Sequence, residues 1–119
     1  MGALEMQYDH AQRALKTQLG RLLRAAAGAD TDAWGADLFR RLLTYARAVE
    51  LDLDADLFRG PSPEQALGRL HLLGTELRLQ QWADVWPAAS EYMKLVAATE
   101  AAAGAFREAV RARRPVTVT

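Results

Sequence analysis

The chain has no cysteine, no isoleucine and no asparagine. Lack of cysteine excludes disulfides, thiolate nucleophiles and Cys-based zinc sites. Lack of isoleucine, with valine sparse, removes much of the raw material of a sheet. Lack of asparagine removes the commonest tight-hairpin turn signal. Lysine is nearly missing too: Lys16 and Lys94 stand alone among 15 basic residues, the rest being arginine. Serine occurs only as Ser62 and Ser90, and histidine only as His10 and His71. Neither a nucleophile elbow nor a phosphate-cradling glycine loop is present. His-Glu-x-x-His and the Glu-x-x-His of di-iron bundles are missing as well. No metal and no organic cofactor is expected, and the linear pattern leans away from an enzyme.

What remains is rich in alanine, leucine and arginine, all strong helix formers. At 119 residues, half of them hydrophobic, the chain has the length and apolar content of one globular domain spanning 1–119. Residues 1–20 lack an apolar targeting core, and no apolar run approaches the roughly 18 residues of a membrane span. The expectation is a cytoplasmic protein.

Periodicity predicts an all-α, antiparallel bundle of about four helices. The first runs from Leu4 to Ala27, with Leu4, Tyr8, Ala11, Leu15, Leu19, Leu22 and Ala26 on one face and Gly28 as its stop. Asp30-Thr31-Asp32 offers caps for a second helix, striped by Trp34, Leu38, Leu42, Tyr45 and Val49 and ending near Leu51. Residues 52–61 read as a short helical turn or a ragged extension, with Phe58 a core anchor. Ser62-Pro63-Glu64-Gln65 is a capping-box pattern with Pro63 as first helical residue. The third helix carries Leu67, Leu70, Leu73, Gly74 and Leu77 on its main face. Leu72 and Leu79 fall on a separate stripe, which Trp82 and Trp86 prolong. Pro87 opens a fourth helix striped by Tyr92, Leu95, Val96, Thr99, Ala103, Phe106 and Val110, running to about Arg113. Residues 115–119 read as a loose tail.

Several patterns resemble sites and fall short. Asp52, Asp54 and Asp56 resemble the start of a calcium loop, but Leu57 stands where glycine is needed and Pro63 where a bidentate glutamate is needed. Ala36-Asp37-Leu38-Phe39-Arg40 recurs as Ala55-Asp56-Leu57-Phe58-Arg59 with unmatched flanks, so no structural repeat is expected. Leu73-Gly74, Gln81-Trp82-Ala83 and Ala88-Ala89-Ser90-Glu91-Tyr92 loosely resemble a tetratricopeptide hairpin, which would imply protein binding. The turn glycine is missing, the spacing is off by one and no second copy exists, so no family is assigned.

Two surfaces carry the functional expectation. Leu72, Leu79, Trp82, Trp86 and Tyr92 form a candidate protein interface, because an apolar stripe outside the main face and clustered aromatics both favour docking. A protein-interaction or assembly subunit, self-associating as a homodimer, is the first expectation. The alternative is a nucleic-acid accessory subunit using Arg13, Lys16, Arg21 and Arg24 with Arg107, Arg111, Arg113 and Arg114, if the first and last helices are neighbours. The net charge of zero disfavours it. A small helical enzyme with dispersed acid–base residues ranks third. The charge is uneven: residues 30–64 hold eight acids and four bases, with basic excess on either side.

Overall fold

The computed structural model describes residues 2–27, 36–78 and 93–113, with side chains from residue 40 onward in the second stretch. Four α-helices account for nearly all of them: α1 (Ala3–Ala27), α2 (Ala36–Asp54), α3 (Glu64–Leu77) and α4 (Met93–Arg113). A 3-10 turn, Leu57–Arg59, lies between α2 and α3. No strand occurs among the described residues, and the all-α bundle read from the periodicity is the observed architecture.

Cross-helix ion pairs and ring contacts fix the topology. Lys16 meets Asp54 at 3.7 Å and Asp9 meets Arg59 at 2.6 Å, so α1 and α2 run antiparallel. Asp52 binds Arg69 and Arg41 binds Glu76 at 2.9 Å, which reverses direction again into α3. Arg78 reaches Glu100 at 3.3 Å, and Arg107 faces His71. Glu5 pairs with Arg113 and Tyr8 stacks near Phe106, closing α4 back onto α1. The result is an up-down-up-down bundle in which each helix packs on its sequence neighbours and α4 on α1.

The core follows the apolar period. Every predicted stripe residue of α1 is buried except Leu4, which is 47 % exposed in the first turn. Leu42, Ala46, Val49 and Leu53 line α2; Ala66, Leu70, Leu73 and Leu77 line α3; Val96, Ala103, Phe106 and Val110 line α4. Burying each large aliphatic side chain supplies about 1.5–3 kcal/mol. Thr99 is a buried hydroxyl of α4, and it donates to the Leu95 carbonyl at 2.6 Å, so its own polar group is satisfied.

Two boundaries differ from the sequence reading. α2 continues to Asp54 rather than stopping near Leu51, and Asp52 is a buried interhelical residue rather than part of an acidic turn. Asp56 then takes the left-handed conformation (φ 55°, ψ 36°) usually left to glycine. Aspartate tolerates it better than most residues, and the backbone reverses without a glycine signal. α3 begins at Glu64 with Pro63 as N-cap, one residue later than expected, and this cap makes no side-chain hydrogen bond. The Pro63 carbonyl already accepts from Leu67 at 2.8 Å, so the proline ring starts the turn by its fixed φ rather than by a serine cap. The repeated pentapeptide adopts two conformations: residues 36–40 are helical, whereas residues 55–59 form the turn that buries Phe58.

Candidate functional site

Helical geometry at 100° per residue puts Gly68, Leu72 and Thr75 on one side of α3, and Thr44, Ala48 and Leu51 on one side of α2. The Asp52–Arg69 and Arg41–Glu76 pairs set α2 and α3 in register, so Leu72 stands level with Ala48 on the outward side of that helix pair. None of these six residues is charged. Leu51 is 62 % exposed and Leu72 is 44 % exposed. An added Cβ on Gly68 would meet nothing within 4 Å, so this part of α3 is open. On the far side of Leu51 the helix turns charged, with Arg47 four residues before it and Asp54 three after. An open depression runs along α2, lined among the described residues by Arg40, Leu43, Thr44, Arg47, Ala48 and Leu51. Leu72 thus lies off the main face of α3, as its period suggested. Leu79, Trp82, Trp86 and Tyr92 lie outside the described residues.

α1 and α4 are neighbours, as a merged basic patch would require, but they run antiparallel. Arg113 therefore stands beside the first turn of α1, away from Arg21 and Arg24, while Arg107 faces His71 of α3. Arg113 binds Glu5, Arg111 lies 3.6 Å from Glu108, and Lys16 pairs with Asp54. Arg13, Arg21 and Arg24 are exposed along α1. Arg114 lies outside the described residues.

A polar network at one end of the bundle carried no signal in the sequence. Tyr8 is fully buried, its ring 5.3 Å from Phe106, which in turn meets Phe58 edge-on at 4.9 Å. Arg59 lies 4.6 Å from the Tyr8 ring centre and Arg113 lies 5.2 Å from it. Both guanidiniums are held by carboxylates, Arg59 by Asp9 at 2.6 Å and Asp56 at 3.9 Å, and Arg113 by Glu5. Burial pushes the Tyr8 phenol up to about 12, and the Asp56 carboxylate adds to the rise while the two arginines oppose it. Asp56 is near enough to act on the phenol, yet the hydroxyl completes no hydrogen bond by strict geometry. A phenol held protonated in this way is no general base at neutral pH. The network reads as an end plate that ties the 55–60 turn to α1 and α4. Finding it requires the antiparallel register, which brings residues 8, 59 and 113 together.

Among the described residues, no group of three or more His, Asp or Glu is arranged to hold a metal ion, and no helix is long and apolar enough to cross a membrane. The fold is a small all-α up-and-down bundle, with Leu51 and Leu72 exposed on its α2/α3 side. Compared with protein-family models, curated proteins and solved structures, the chain matches none of them.

Proposed function

We propose that this protein is an assembly subunit that binds a second copy of itself through the outward side of α2 and α3. The observation that carries the reading is the exposure of Leu51 and Leu72 on one side of the α2/α3 pair, beside the open depression along α2. A two-fold contact brings each residue against its own neighbourhood, so a charge at its centre would face its own like. Leucines flanked by alanine, glycine and threonine suit such a contact. The charge around Leu51 favours a second copy over an unrelated partner. A two-fold axis near Leu51 sets the copies of α2 antiparallel and brings Arg47 towards Asp54 of the second copy, a carboxylate that Lys16 of its own monomer meets only loosely at 3.7 Å and at the exposed surface.

Light scattering after size exclusion, across a wide concentration range, tests the reading. A dimer that becomes monomeric in Leu51→Glu and Leu72→Glu, with unchanged helical circular dichroism, supports it. Arg47→Glu alone should weaken the dimer, and Arg47→Glu with Asp54→Arg should restore it. A strict monomer at every concentration, or a dimer indifferent to both leucines, overturns the proposal.

A further inference from the structure

The adjacent side of the bundle holds a cleft between α3 and α4. It has a volume of about 80 Å³ and is lined by Leu70, Gly74, Arg78, Glu100, Ala103, Gly104 and Arg107. That is room for about two or three water volumes, or for one phosphate-sized group. Small residues create it: Gly74 faces it from α3, and Ala103 with Gly104 from α4. An added Cβ on Gly104 would meet nothing within 4 Å, whereas one on Gly74 would lie 3.2 Å from the Arg78 guanidinium. Arg78 therefore lies across the bare backbone of Gly74, and its Nε meets Glu100 at 3.3 Å.

Arg107 is the unusual member. One terminal nitrogen lies 3.5 Å from His71 Nδ1, a long contact, while its Nε is buried and has no acceptor. A guanidinium has five donors and no acceptor capacity, so the His71 nitrogen facing it can only accept. A desolvated N–H of a charged group without a partner is costly, and an oxyanion relieves that cost by taking two parallel hydrogen bonds from one guanidinium edge. The cleft carries two arginines against one carboxylate, and the open space at Gly104 gives the Arg107 guanidinium room to turn its Nε edge inward.

We infer that the α3/α4 cleft binds a phosphate-sized oxyanion, held between Arg107 and Arg78. Glu100 acts as the counter-charge that steadies Arg78 and limits affinity by like-charge repulsion.

Arginine Nε–H resonances, followed by NMR during titration with inorganic phosphate at constant ionic strength, test this. The Arg107 and Arg78 signals should move together and saturate. Arg107→Gln should weaken binding about tenfold or more. Gly104→Leu should do the same by filling the cleft without changing charge, and a thermal melt establishes that this variant is folded. Glu100→Gln should tighten binding severalfold. Resonances that stay still, shifts that never saturate, or binding indifferent to Gly104→Leu overturn the inference. The readout is independent of self-association, so the two proposals stand or fall separately.

Discussion

The Tyr8 end of the bundle and the outward side of α2 and α3 treat their side chains in opposite ways. At the end, aromatic rings and charges close upon each other: Tyr8 on Phe106, Phe106 on Phe58, Arg59 on Asp9, Arg113 on Glu5. Along the side, Leu51 and Leu72 are exposed while Leu42, Val49, Leu70 and Leu73 of the same helices are buried. The difference separates residues that the monomer uses from residues that it does not. An arginine-rich end is no evidence of an external anion partner when its charges are already engaged. Single exposed leucines are ordinary, and Leu4, Met6 and Leu57 are exposed too; what sets Leu51 and Leu72 apart is that they share one side of the α2/α3 pair.

The sharpest way to break this contrast is truncation on both sides of it. Phe106→Ala removes the ring shared by Tyr8 and Phe58 and should cost about 3–5 kcal/mol in denaturant unfolding. Leu72→Ala should change the stability of the monomer by less than about 0.5 kcal/mol. Equal losses would mean that Leu72 belongs to the core and that the side face is no interface.

A second, smaller contrast lies within the ion pairs. Asp52 is 6 % exposed and takes two hydrogen bonds from Arg69, at 2.7 and 3.0 Å. Asp52→Ala should cost about 1–3 kcal/mol, because it strips a charged partner from a buried pair. Asp9→Ala, at an exposed pair, should cost about 0–1 kcal/mol. Thermal melts at two salt concentrations check both, since only the exposed pair should weaken noticeably with salt.

The two regions were not equally legible. Only half of the side face followed from counting: Leu72 falls off the main stripe of α3 at 100° per residue and is exposed, whereas Leu51 was read only as the end of α2. The burial of α1, α3 and α4 followed likewise from their periods. The end plate did not, because its members lie far apart in the chain and meet only in the antiparallel register. Asp52 was misplaced for a related reason. A carboxylate at the edge of an apolar stripe looks solvated until its arginine, 17 residues on, is seen to face it. The α2 boundary slipped because Asp56 does a glycine's work without a glycine in the sequence.

Gly68 sharpens the comparison from the side-face direction. It sits in mid-helix with open space where a Cβ would be. Gly68→Ala should stabilise the monomer by about 0.5–1 kcal/mol through helix propensity alone. If a second copy packs closely there, the same variant should weaken the dimer. Stability and association then move in opposite directions, which a purely solvent-facing glycine would not produce.

The smallest effect at neutral pH is expected at Tyr8, and it is informative because pH enlarges it. The hydroxyl is buried without a hydrogen bond, so Tyr8→Phe removes an uncompensated polar atom and should shift neutral-pH stability by no more than about 1 kcal/mol in either direction. The phenol ionises at about 12 in the folded protein, against about 10 for an exposed tyrosine. Below pH 10 both states keep the proton and stability is unaffected. Between pH 10 and 12 the unfolded chain has released it while the folded protein retains it, so stability falls as pH rises, and the loss is complete above pH 12. Denaturant unfolding from pH 9 to 12 should therefore show a steeper decline in the wild type than in Tyr8→Phe, and the difference in tyrosinate absorbance between them should appear near pH 12. Identical alkaline profiles would mean that water reaches the phenol, and that the end plate is no more closed than the leucine-bearing side.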